Sequence, residues 1–218
     1  LMKRFFRRHA TLWMLIGFCL LLGLFLSLRT GIFFTGRNLI NILEANSFKL
    51  LLAIGMTFVI ASGGIDLSVG SILSLSAIFT ALCMKQNIPV WLAILVGLLS
   101  GILMGLINGA LIHFTGINAF IITLGTSFLY RGLALIVTRG TPVSKLPAAY
   151  RAFGGGDIFQ VESGVYMALL VLLLSIPLLY KMRWGHYITT LGGNPVALRR
   201  CGVRTGTWRI STFAVMGF

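Results

Sequence analysis

IASGGIDLSVGSI, residues 60–72, sets one carboxylate beside paired glycines inside an apolar run. Asp66 is the only charged residue between Leu50 and Met84. A helix crossing a bilayer takes roughly 17–25 mostly apolar residues, and this run is about twice that. It therefore reads as two crossings joined at Gly63–Ser68, or as one crossing and a re-entrant piece. An acid inside a membrane is costly and faces a cavity, a partner or polar backbone.

The rest of the chain carries the same signature. Of 218 residues, 57% are hydrophobic and 10% charged, and mean hydropathy is +0.97; soluble domains run near a quarter charged. No Lys, Arg, Asp or Glu occurs from Gln86 to Tyr130. The expected fold is an all-α polytopic membrane protein. Six crossings are predicted, at about 11–28, 48–64, 67–84, 89–112, 117–138 and 164–180, with the start of a seventh after Arg209. Short interfacial helices are expected at Thr35–Asn46 and within Thr138–Ser163, where Gly154–Gly156 suggest a turn.

Net charge is +14, but its placement argues against a nucleic-acid partner. Lys3, Arg4, Arg7 and Arg8 precede the first span, and Lys181, Arg183, Arg199, Arg200, Arg204 and Arg209 follow the sixth. Basic residues concentrate in cytoplasmic segments, so both ends are expected there, and an even number of crossings must separate them. The six-span count meets that condition and leaves Glu44, Asp157 and Glu162 outside. The first span reads as uncleaved, since its apolar run is long and no A-x-A site follows. Cys19, Cys83 and Cys201 have neither disulfide-framework nor metal-site spacing. The chain opens on Leu1 and stops nine residues after Arg209. It is therefore read as one transmembrane domain over 1–218, the amino-terminal part of a longer protein.

Three stretches offer chemistry. Gly97, Gly101, Gly105 and Gly109 recur every fourth residue, which lets a neighbouring helix approach closely; a sliding surface is the functional alternative. In GGIDLSVG, Asp66 is either a helix cap, accepting from Ser68 or Val69 with the helix starting at Leu67, or part of a solute path or gate. The two readings are compatible, because broken helices are tolerated beside water-filled cavities. In WGHYITTLGGNPVALRRCGVRTGTW, residues 184–208, Asn194 is placed to cap a short helix at Pro195–Cys201 that Gly202 ends. Asn108, Asn118, Thr123 and Thr126 could face a cavity, or equally hydrogen-bond between helices.

The pattern GGN-x-x-A-x-x-x-x-G-V at Gly192–Val203 resembles the coupling-loop signature of ABC importer permeases. GGIDLSVG at Gly63–Gly70 and INAFIITLGTSFLYRG at Ile117–Gly132 resemble marked stretches of their monosaccharide branch, the ribose, xylose, galactofuranose and autoinducer-2 type. The resemblance implies a permease subunit in the bacterial inner membrane, amino terminus cytoplasmic, without catalytic chemistry or a cofactor of its own. ATP would be bound by a partner ATPase docking on a coupling loop at 181–206, through Gly192, Gly193, Asn194, Ala197, Arg199, Arg200 and Gly202. Arg200 and Cys201 replace the Leu-Ser more usual there. A second permease subunit, identical or related, and a periplasmic sugar-binding protein would complete the system. The pathway or gate would draw on Asp66, Ser68, Asn108, Asn118, Thr123 and Thr126.

Other classes fit less well. An ion-coupled secondary carrier would place several ionisable groups at mid-membrane, where only Asp66 and Arg131 are available. For an intramembrane enzyme, no HExxH or G-x-S-x-G motif occurs, and His9, His113 and His186 fall at span ends or in loops. A phosphate-binding loop of the G-x-x-x-x-G-K-[ST] type is also absent from the sequence.

Overall fold

A computed structural model describes residues 10–218, apart from the side chains at 152–154 and 157. The basic arm at residues 3–9 lies outside the described residues. The chain divides into two units, one ending at Asn46 and the other Ser47–Phe218. In the first, α1 (Ala10–Thr30) buries only Gly23, whose bare Cα admits the Phe33 and Phe34 rings. Thr35 then starts α2 (Gly36–Ala61), its Oγ1 accepting from the Asn38 N–H at 3.4 Å.

The expected interfacial helix at Thr35–Asn46 and the crossing from 48 are therefore one helix, a correction to the sequence reading. Asn38, Glu44, Asn46 and Lys49 suggest a boundary, yet none of them breaks a helix. At 1.5 Å per residue, 26 residues reach about 39 Å, beyond the roughly 30 Å hydrocarbon core, so the polar first turns can lie outside it.

In the second unit, α3 (Val69–Lys85) follows the break, then α4 (Val90–Thr115) and α5 (Ala119–Thr138). Helix α4 ends on Gly116 at φ +69°, whose N–H donates to the Ile112 carbonyl. The connection to the next long helix holds α6 (Ala148–Gly155) and a hairpin of β1 (Asp157–Ile158) with β2 (Val161–Glu162). Helix α6 continues through Gly154 and Gly155, where the glycines suggested a turn. The hairpin turns at Phe159 and Gln160, both at positive φ, without the Asn-Gly signal that normally marks such a turn.

Helix α7 (Ser163–Tyr180) leads into α8 (Arg183–Gly193), α9 (Pro195–Arg200) and α10 (Thr205–Gly217). Among the described residues five helices, α1, α2, α4, α5 and α7, are long and apolar enough to cross a membrane. Helix α3, at 17 residues, spans about 25 Å. The fold is that of an all-α multi-pass membrane protein, whose outer faces expose residues such as Leu103 and Leu99. Lipid is as apolar as leucine, so exposed leucine costs nothing there.

Three apolar clusters make the core of this unit. Val59, Ile112, Ala119, Phe213 and Met216 bring α2, α4, the start of α5 and α10 together. Ile72, Leu75, Met104, Tyr130 and Ala134 join α3, α4 and α5. Ile54, Phe58 and Ile188 hold α8 on α2, with Trp184 edge-on to Phe58 at 5.2 Å.

Candidate functional site

The break between α2 and α3 is built by local rules. Gly63, at φ +80°, donates to the Ile60 carbonyl at 2.9 Å, and Gly64 donates to Val59 at 3.0 Å. That pair of bonds closes a helix with a left-handed residue after the cap, a conformation glycine adopts without a Cβ clash. Gly64 is needed for space instead: a Cβ there would lie 3.2 Å from the Phe213 ring and 3.3 Å from Val59.

Asp66 is fully buried. Its Oδ1 accepts from the Ser68 N–H at 2.7 Å and the Ser68 hydroxyl at 2.6 Å. The expected bond to Ser68 is present, but the helix starts at Val69, and Ser68 holds the cap position with no side-chain cap bond. Asp66 therefore closes a tight turn ahead of the helix rather than capping it. Its Oδ2 is buried with no hydrogen-bond partner among the described residues.

A polar chain runs inward from this turn. Asn108 Nδ2 on α4 donates to Ser68 Oγ at 2.7 Å. The Tyr130 hydroxyl on α5 is shared between Asn108 Oδ1 at 3.2 Å and the Met104 carbonyl at 3.1 Å. Thr123 clamps the break from the other side: its Oγ1 accepts from the Leu67 N–H at 3.1 Å. The Thr123 hydroxyl proton is shared between Ala119 O at 2.8 Å and Ile65 O at 3.2 Å. Two helices, α4 and α5, are thus tied to one short loop, with each bond worth well under about 2 kcal/mol in a membrane setting.

The remaining candidates separate. Asn118 caps α5, accepting from Phe120 N–H at 3.0 Å. It also lines a cavity of about 170 Å³ with Ser62, Gly63, Gly64 and Arg209. Thr126 is buried and bonds its own helix at Thr123 O. Arg131 is exposed. Tyr130 was not among the sequence candidates, although 123, 126 and 130 share one helical face.

The glycine ladder has two neighbours. A Cβ on Gly97 would strike the Thr80 side chain on α3, whereas Gly101, Gly105 and Gly109 lie against Gly217, Phe213 and Ile210 of α10. The residues after Arg209 therefore supply the helix that the ladder accommodates.

The loop at 181–206 follows the expected construction and adds a helix. Asn194 Oδ1 accepts from Ala197 N–H at 2.9 Å, and Pro195 occupies the first turn of α9. Gly202, at φ +78°, donates to Arg199 O while Val203 donates to Leu198 O, the same closure as at Gly63. Helix α8 was not expected, although Trp184, Ile188 and Leu191 fall at helical spacing. Its Gly192 sits on the break: a Cβ would overlap Ala61 O and lie 2.8 Å from Gly63 N. Gly193 has open space around it, and Ala197 and Arg200 are exposed. Arg199 Nε donates to Thr205 Oγ1 at 3.1 Å, and Trp184 Nε1 to Ser211 Oγ at 3.1 Å, which tie the loop to α10.

Known proteins share this arrangement's sequence. The chain is 34% identical over 190 residues to a ribose import permease protein of Haemophilus influenzae, covering 85% of this chain and 59% of that protein. It is 32% identical over 214 residues to a D-allose transport system permease protein of Escherichia coli, covering 98% and 65%. An autoinducer 2 import system permease protein of Yersinia pestis is 33% identical over 185 residues, covering 85% and 53%. The chain thus spans about three-fifths of the length of these curated relatives. No solved structure matches it. A family model matches residues 38–218, the break, the ladder and the loop included, and the chain belongs to that family, described as the branched-chain amino acid transport system permease component.

Proposed function

We propose that this chain is the membrane-spanning subunit of an ATP-binding-cassette importer, forming the pathway for a monosaccharide or related sugar-like solute across the bacterial inner membrane. Relatives named for ribose, D-allose and autoinducer 2, at 32–34% identity, support sugar over the amino acids of the family's description. In this reading a second permease subunit completes the pathway, and a periplasmic binding protein delivers the solute. A cytoplasmic ATPase docks on 181–206 through Gly193, Asn194, Ala197, Arg199, Arg200 and Gly202. The amino terminus is cytoplasmic, and α3 is the third of six crossings.

The observation that carries the mechanism is the backbone contact of Gly192 with Ala61 and Gly63. Packed elements with no side chain between them transmit displacement, because protein interiors are close-packed and resist compression. A push on α9 from an ATPase would pass along α8 to the helix break. Through Arg199–Thr205 and Phe213 it would also reach α10 and the glycine face of α4. Asp66, Ser68, Asn108 and Thr123 then hold the break in register, beside a path lined in part by Asn118.

The test is ATP-dependent uptake of radiolabelled ribose, with leucine as comparison, in cells supplying the ATPase and binding protein. Ala197→Trp or Gly193→Trp is expected to abolish uptake while the protein still inserts. Both positions are exposed on this chain, so a loss would report on a partner rather than on folding. Normal uptake in both variants would overturn the assignment of this loop, and leucine uptake without ribose uptake would overturn the substrate class.

A further inference from the structure

A second cavity, of about 770 Å³, lies where α4 ends and α10 begins. Arg199, Arg204, Arg209 and His113 line it, with Thr205 and Gly206 of the first turn of α10. No acidic residue lines it, and none of the three arginines has an ion pair among the described residues. Guanidinium groups gathered without a counter-charge repel one another, and the repulsion is relieved by an anion between them.

The arrangement is specific in its details. Arg199 is held through Nε by the buried Thr205 hydroxyl at 3.1 Å, leaving its terminal N–H groups for another acceptor. The Arg204 side chain makes no cap bond at the start of α10, and the backbone donors of that first turn add to the field in the same cavity. Arginine forks match the tetrahedral oxygens of phosphate in paired hydrogen bonds. The volume falls in the range of sites for whole small molecules, about 300–1,000 Å³, larger than a bare ion requires. Beside the cavity, Phe114 and Ile117 are exposed, which puts the basic cluster at the border of an apolar surface.

We infer that this cavity binds a phosphate-bearing anion the size of a glycerophosphate headgroup, held by Arg199, Arg204 and Arg209. The site shares Arg199 and Gly202 with the loop proposed above to dock the ATPase, and it is argued from the cavity and its charge.

Purified protein in nanodiscs of phosphatidylcholine alone, or of an equal mixture with phosphatidylglycerol, is unfolded thermally at constant ionic strength. Glycerol 3-phosphate or inorganic phosphate is titrated into the phosphatidylcholine sample. Stabilisation by phosphatidylglycerol alone identifies a lipid headgroup, and stabilisation by the soluble phosphates identifies a free ligand; either supports the site. Arg204→Gln with Arg209→Gln should weaken the response roughly tenfold or more. Thr207→Glu, an exposed position lining the cavity, supplies an internal anion and should abolish the response in a folded protein, even if the double variant does not fold. Equal stability in both lipids with no effect of phosphate would overturn the inference. So would a response unchanged by Thr207→Glu.

Discussion

Gly192 and Gly193 are adjacent at the end of one helix, and the structure predicts opposite outcomes for the same substitution. Replacing glycine by alanine in a helix gains about 0.5–1 kcal/mol from backbone entropy. At Gly193 nothing lies within 4 Å of the new methyl, so Gly193→Ala should be neutral or stabilising by a few tenths of that. At Gly192 the methyl would overlap Ala61 O and lie 2.8 Å from Gly63 N and 3.0 Å from Ala61 C. All three are backbone atoms that no rotamer change can move. Forcing a methyl into a packed contact costs about 1–3 kcal/mol. The net prediction for Gly192→Ala is therefore a loss of up to about 2.5 kcal/mol. Thermal unfolding of the two variants in one detergent measures the difference directly. If Gly192→Ala proves as stable as Gly193→Ala, α8 does not touch the break, and the proposed line of transmission fails with it.

Other substitutions test the polar chain and the ladder by the same assay. Asn108→Ala removes the bonds to Ser68 and Tyr130, yet Ser68 keeps Asp66 and Tyr130 keeps Met104; the loss should be modest, about 1–2 kcal/mol. Asp66→Asn retains an acceptor for Ser68 and should change stability by less than about 1 kcal/mol. Asp66→Ala leaves the buried Ser68 donors unpaired and should cost about 2 kcal/mol or more; equal losses would show that the turn does not depend on that oxygen. Gly105→Ala would drive a Cβ into Phe213 O and within 2.9 Å of its carbonyl carbon, separating α4 from α10 at a cost of about 1–3 kcal/mol. Gly125→Ala, with open space around it, is the matched control and should cost nothing.

What could be read from the sequence follows the range of the forces involved. The break at Gly63 and the Asn194–Pro195–Gly202 construction are set within a few residues by caps and left-handed glycines, and both stand at the expected positions. Asp66 was placed within two residues of its actual role, because a carboxylate can bond a following N–H from more than one register. The continuity of α2 through Lys49 was missed, because polar residues in a helix resemble a boundary when only hydropathy is followed. The partner of the glycine ladder was out of reach, since a bare helix face does not say which backbone will cover it. Tyr130 was overlooked for a related reason: its role depends on Asn108 and Met104, 22 and 26 residues away. The hairpin at Phe159–Gln160 carries no turn signal at all, and local rules gave no means of finding it.

The central claim is that solute movement through this protein is driven by a partner's ATP hydrolysis. Proteoliposomes containing the protein, a candidate ATPase and the binding protein provide the direct measurement. Ribose uptake should require ATP and stop when the ATPase is replaced by a hydrolysis-dead variant. Uptake driven by a proton or sodium gradient, with the ATPase left out, would contradict the account.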